Sequence, residues 1–301
     1  MSYVDPILAK LTTQNLNSDE KKDALDKHYD RLRRYITMTT RGEGRSLIVN
    51  GDAGMGKTEF TSDIIEEYAE SSKKNCNFLS GTLSAVDLYA RLYNHRKEGE
   101  ILVVDDTDKI LENTESLEVL KGALDNKKNP KLTWGKAYSS HLSKMNVQTE
   151  FDYHGKMIII TNRMLRTAPD KTPTIVQQRL NPLMDRVNYF RAGLPSNEWK
   201  IEAIRMFAED YPSNYSDEKY SLRCARHIRV PDSKKITSAS GKLPHPINDE
   251  QKKILDEIID FMNEHRDELR TLSFRTVANI IEIRNQEPDF WEDMTLANLG
   301  I

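Results

Sequence analysis

The residues best suited to chemistry lie between Gly51 and Thr58, which reads G-D-A-G-M-G-K-T. Gly51, Gly56, Lys57 and Thr58 have the spacing of a phosphate-binding loop. Glycine has no Cβ, so successive backbone N–H groups can turn into one concavity and bind phosphate oxygens. Gly51, Asp52, Ala53, Gly54, Met55 and Gly56 would supply that backbone. The amino end of a helix beginning at Lys57 and passing through Glu59 adds partial positive charge. Lys57 would reach the β- and γ-phosphates of a nucleoside triphosphate, and the Thr58 hydroxyl would bind Mg²⁺.

Two further stretches carry polar groups at the ends of apolar runs. Ile101-Leu102-Val103-Val104 ends in Asp105-Asp106, and Met157-Ile158-Ile159-Ile160 ends in Thr161-Asn162. A hydrophobic strand that delivers a carboxylate to its carboxyl end is what a parallel nucleotide-binding sheet needs. Asp105 is the candidate for Mg²⁺, through water; Asp106 is the candidate to orient or deprotonate the attacking water, with Asp108 as a second choice. The Asn162 amide can hydrogen-bond both the γ-phosphate and that water.

These groups need a sheet to place them. Leu47–Val49 is a short apolar run suited to a buried strand, and residues 75–80 form a second. Helical spacing predicts helices over about 19–38, with Leu25, Tyr29, Leu32 and Ile36, and over Thr114–Leu124. Strands alternating with helices argue for a parallel sheet covered on both faces. Beyond Gly193-Leu194-Pro195 the pattern turns helical: Ser196 caps one helix, residues 249–267 form another, and the last starts near Ser273. A long connection over 210–248 is expected from its prolines. The expected division is an N-terminal helical segment (1–45), a nucleotide-binding core (46–193) and a helical portion (194–301).

The 301 residues are 38% hydrophobic and 30% charged, too apolar for a disordered chain. A net charge of −3 gives no global attraction to nucleic acid, so such a contact needs a local patch. Cys76 and Cys224 form no C-x-x-C or zinc spacing, which suits a reducing compartment, and no apolar run approaches the length of a membrane span. A cytoplasmic protein is expected, in the host if phage encoded.

The chain resembles the AAA+ family of P-loop ATPases. Gly51–Thr58 looks like its Walker A motif, Ile101–Asp106 like Walker B and Asn162 like sensor 1. Pro182-Leu183-Met184-Asp185-Arg186-Val187 is similar to the family's arginine-finger segment, and Leu272-Ser273-Phe274-Arg275-Thr276 to its sensor 2 helix. The resemblance implies a three-layer αβα core with a parallel sheet, followed by a smaller all-α lid. It implies ATP and Mg²⁺ as cofactors, bound between subunits of a homo-oligomeric ring, with a hexamer favoured. Arg186 would then act in trans on the neighbour's ATP, with Arg179 as runner-up, and Arg275 would sense the γ-phosphate from the lid. The family usually has Glu where this chain has Asp106, one methylene shorter, which bears on the rate of hydrolysis.

The stretch before sensor 1 speaks to what is acted on. From Lys127 to Lys156 it holds six lysines against Glu150 and Asp152. Lys131 and Lys136 could follow a phosphate backbone, and Trp134 could stack on bases; alternatively Trp134 and Tyr138 pack on the core. The expected function is a nucleic-acid motor or loader: a helicase, replication initiator or helicase loader. A protein remodeller is the alternative, but Gly81-Thr82-Leu83-Ser84 lacks the aromatic usual in such threading loops. An ATP-binding switch with slow hydrolysis is the third.

Overall fold

The computed structural model describes residues 4–42, 44–125, 127, 130–135, 140–163, 165, 172, 174–209, 249–269 and 272–300. The proline-containing connection over 210–248, Lys136, Tyr138 and Cys224 lie outside them.

In chain order the first elements are α1 (Pro6–Leu11), α2 (Ser18–Thr40), β1 (Leu47–Asn50), α3 (Lys57–Ser72), β2 (Cys76–Ser80) and α4 (Ala85–Asn94). Then come β3 (Ile101–Asp105), α5 (Lys109–Glu112), α6 (Thr114–Ala123), β4 (Lys131–Thr133), α7 (Ser140–Lys144) and β5 (Glu150–Asp152). The remainder is β6 (Lys156–Thr161), α8 (Ile175–Met184), β7 (Asn188–Arg191), α9 (Asn197–Glu209), α10 (Asp249–Glu264), α11 (Phe274–Gln286) and α12 (Trp291–Leu299). They form two compact units: Leu32–Gly51 with Thr61–Ala192, and Val4–Arg31 with Asp52–Phe60 and the chain from Gly193 onward.

The first unit is built on a five-stranded parallel sheet in the order β2-β3-β6-β1-β7. Its three inner strands are the continuous apolar runs; β1, β3 and β6 are buried almost throughout. Inner parallel strands are covered on both faces, so they need no alternation. From β1 the chain moves three places along the sheet to β2; every later crossover moves back the other way. Right-handed crossovers therefore put α3 on one face and α4, α6 and α8 on the other. On that second face α4 packs on α6 and α6 on α8. The expected fold class, a three-layer α/β core with a parallel sheet and a smaller all-α portion after it, is present. The change of direction falls between β1 and β6, whose carboxyl ends thus flank the crevice where open α/β sheets bind ligands.

The residues between β3 and β6 include a small antiparallel pair, β4 with β5, and α7 between them. Tyr89 of α4 anchors this insert. Its ring lies 5.3 Å from Trp134 and 5.1 Å from Phe151, and its hydroxyl donates to the Gln148 carbonyl at 3.1 Å. Burial pushes that hydroxyl's pKa up to about 12. Gly155 is obligatory nearby, because a Cβ there would meet the His95 carbonyl oxygen at 1.9 Å.

The second unit is helical. There α9 packs on α10, α10 on α11 and α11 on α12. Tyr29 joins α2 to Phe60 of α3 (5.8 Å) and to Phe207 of α9 (4.7 Å); Phe207 reaches Phe274 of α11 (5.5 Å). Each such aromatic pair contributes about 1 kcal/mol beyond its burial. The predicted α2 stripe of Leu25, Tyr29, Leu32 and Ile36 is buried at every position.

Three points differ from expectation. The helix from Ser273 is not the last, since α12 follows it, with Trp291 packed 5.1 Å from Phe261. One turn, α5, precedes the helix at Thr114. β7 is an additional strand; N-Y-F-R has no apolar run, because an edge strand is covered less fully.

Candidate functional site

At the carboxyl edge of the sheet, polar residues cross-link the strand ends. Asn50 ends β1 fully buried, where a side-chain amide must be hydrogen-bonded. Its Nδ2 donates to the Thr161 carbonyl at 3.2 Å and to the Arg163 carbonyl; its Oδ1 accepts from the Tyr189 hydroxyl at 2.8 Å. The Gly51 N–H donates to the Thr161 carbonyl at 3.3 Å. The end of β1, where the glycine-rich loop begins, is thereby fixed against β6 and β7.

Next to this lies the end of β3. Asp105 is its last residue, 8% exposed, in register with Ser80 on one side and Ile160 on the other. Asp106 is exposed and adopts a φ of +50°, the left-handed region that Asp and Asn tolerate better than most residues. Its Oδ1 accepts from Asn162 Nδ2 at 3.0 Å. Asp105, Asp106 and Asn162, chosen separately from sequence, thus meet at one edge.

Asp108 is differently placed. Its two oxygens accept from the Thr161 hydroxyl at 2.6 Å and from Arg163 Nε at 3.0 Å. Arg163 also donates to Glu112. Asp108, the second candidate for the base, thus has both carboxylate oxygens engaged, one by a hydroxyl and one by a guanidinium, whereas Asp106 meets the Asn162 amide. Arg163 was a further possibility from sequence only because it follows Asn162; Glu112 carried no sequence signal.

The loop itself is described within the second unit. Gly54 and Gly56 have φ of +74° and +75°, a conformation open to glycine at no steric cost. Lys57 is 5% exposed and its Nζ donates to the Asp52 carbonyl at 2.5 Å; Lys200 Nζ lies 3.4 Å from the Asp52 carboxylate. Thr58 is exposed at the start of α3, while Met55 is buried. The Phe274 N–H donates to the Gly54 carbonyl at 2.9 Å, so the loop is joined to the first turn of α11, where Arg275 is exposed. Positive-φ glycines, a helix amino end and an ammonium held on the loop suit the triphosphate of ATP; the exposed Thr58 hydroxyl suits Mg²⁺.

The remaining candidates are scattered. Arg186 is half-buried in the turn between α8 and β7, and Arg179 is exposed on α8, donating to the Thr114 hydroxyl at 3.3 Å. Lys131 on β4 pairs with Glu150 at 2.8 Å; that hydrogen bond raises the lysine's pKa and lowers the glutamate's. Trp134 is a correction: at 8% exposure against Tyr89 it offers no face to a base, and its role is packing.

No protein-family model matches the chain. It is 28% identical over 180 residues to an uncharacterized 36.7 kDa protein of Enterobacteria phage T4, from the nrdC-mobD intergenic region. That span is 60% of this chain and 54% of the phage protein, so the match spans about half the relative's length. Among solved structures it is similar to domain III of the replication initiation protein DnaA of Thermotoga maritima (12% identity, 98% of each chain, TM-score 0.43). It is also similar to a mutant form of Thermotoga maritima RuvB (16% identity, 95% of this chain and 83% of that one, TM-score 0.38). The fold assignment rests on the order and direction of the strands.

No helix of the described residues is long and apolar enough to cross a membrane.

Proposed function

We propose that the chain is a Mg²⁺-dependent ATPase of the AAA+ type that acts on nucleic acid as a motor or loader. The observation that carries the reading is the Asp106–Asn162 contact beside Asp105, which joins the ends of β3 and β6 on the same carboxyl edge of the sheet as the end of β1, where the Gly51–Thr58 loop begins.

In this reading the loop amides and Lys57 bind the phosphates, and Thr58 and Asp105 hold Mg²⁺. The ion neutralises charge on the phosphate oxygens when bound. Asp106 orients the attacking water and accepts its proton, and Asn162 holds that water and the γ-phosphate. Arg275 contacts the γ-phosphate from the helical unit. Arg186 does so in trans from the next copy in a homo-oligomeric ring, a hexamer in the favoured form.

Contact with nucleic acid falls to the insert. Lys127 and Lys131 have side chains 75% and 56% exposed, and Lys144 is exposed as well. Lys127 and Lys131 are engaged with Asp125 and Glu150, surface pairs that a phosphate backbone can displace at little cost. Trp134 has no part in this contact, and Lys136 lies outside the described residues.

The test is ATP turnover with and without single- and double-stranded DNA, with mass measured under ATP. Stimulation by DNA and an ATP-dependent assembly are expected. Turnover unaffected by DNA but raised by an unfolded polypeptide would favour a protein remodeller.

A further inference from the structure

Asp108 lies two residues beyond Asp106 and bonds the two residues that flank Asn162. Its Oδ1 takes the Thr161 hydroxyl and its Oδ2 takes Arg163 Nε. The Arg163 N–H donates back to Thr161 Oγ1 at 3.0 Å, and the other arm of its guanidinium reaches Glu112 at the end of α5. Through Asp108 the segment after β3 is therefore tied to the last residue of β6 and to Arg163, on either side of Asn162.

We propose that Asp108 and Arg163 form a positioning latch that sets where the Asn162 amide stands against Asp106. The proposal rests on the reading of Asp106 and Asn162 as ATPase residues. Asn162 is half-buried, and its carboxamide can swing about two side-chain bonds. Thr161 is fully buried, and its β-branched side chain has few rotamers. Binding the Thr161 hydroxyl and Arg163 Nε to one carboxylate restrains the chain on either side of Asn162. Asp108 and Arg163 are 27% and 47% exposed, and ion pairs at such exposure add little to stability. The latch thus acts on geometry: small misplacements of a group that positions water cost rate rather than binding.

The experiment uses the full chain with Asp108→Asn, Arg163→Gln, both together, and Asp106→Asn. It reads affinity for a fluorescent ATP analogue, single-turnover ATP hydrolysis, and hydrogen exchange over residues 158–163 without nucleotide. The latch predicts affinity within about twofold of wild type and hydrolysis slowed about tenfold in each single variant, with no further loss in the double. It also predicts faster exchange over 158–163 in both singles. Additive losses in the double variant would overturn it. So would an Asp108→Asn chain as slow as Asp106→Asn while Arg163→Gln stays at the wild-type rate, because Asp108 would then be the base. Should the wild-type chain bind but not hydrolyse ATP, the ATPase reading fails; the exchange measurement still decides the latch, which is wrong if exchange is unchanged.

Discussion

The carbonyl oxygen of Gly54 accepts a hydrogen bond from the backbone N–H of Phe274 at 2.9 Å, so the glycine-rich loop and the amino end of α11 are one piece of structure. Gly54 has a φ of +74°, and a Cβ on it would lie 2.5 Å from the Cβ of Ser273, the N-cap of α11. Gly54→Ala therefore meets both backbone strain and a clash, together costing about 3 kcal/mol. Adding Ser273→Gly removes the clash and leaves the strain, and glycine is a tolerable N-cap. Urea denaturation should show about half the lost stability restored in the double variant.

Lys57 and Thr58 carry separable tasks. A charged hydrogen bond is worth about 1.5–3 kcal/mol, so Lys57→Ala should weaken ATP binding by about tenfold to a hundredfold. Thr58→Ala should instead raise the Mg²⁺ concentration needed for half-maximal turnover. A fluorescent nucleotide titration at several Mg²⁺ concentrations separates the two.

Trp134→Ala tests the correction made to the insert. Emptying a site that is 8% exposed and packed on Tyr89 should cost about 3 kcal/mol. The salt dependence of DNA binding should not change. Replacing Lys127, Lys131 and Lys144 together should lower that salt slope by about 3 if all three meet phosphates, with little change in stability.

Asp5 gives a signature in acid. It caps α1 through the Ile7 N–H and lies 2.7 Å from His28 Nδ1 and 2.6 Å from Arg31. Burial alone raises its pKa; the bonds to His28 and Arg31 outweigh that and hold the group well below the usual carboxylate range. A carboxylate depressed in the folded state stabilises fully above its unfolded pKa of about 3.9 and loses that contribution as pH falls towards the folded value. Asp5→Asn should therefore cost about 3 kcal/mol at neutral pH. It should also flatten the loss of stability below about pH 4. Stability measured by urea titration from pH 7 to pH 2 reads both.

What could be read from sequence follows from how each element comes to be buried. The inner strands β1, β3 and β6 are apolar runs because both faces are covered, so Leu47–Val49, Ile101–Val104 and Met157–Ile160 stood out. β7 sits at the edge, and its mixed Asn-Tyr-Phe-Arg carries no such mark. Asp105, Asp106 and Asn162 were legible because each ends one of those runs. The tasks of Asp108, Arg163 and Glu112 were not, since they depend on which strand ends lie side by side, and the order β3-β6-β1 is not written in any local pattern. Trp134 was open to two readings because a single aromatic among lysines looks alike on a surface and under a hairpin.

Single-turnover hydrolysis of ATP by the wild-type chain, Lys57→Ala and Asp106→Asn tests the central claim most directly. The account predicts that the wild type binds and hydrolyses, and that Lys57→Ala binds at least about tenfold more weakly. It predicts that Asp106→Asn binds normally but hydrolyses at least about a hundredfold more slowly. Wild-type turnover by Asp106→Asn, or ATP binding that survives in Lys57→Ala undiminished, would contradict it.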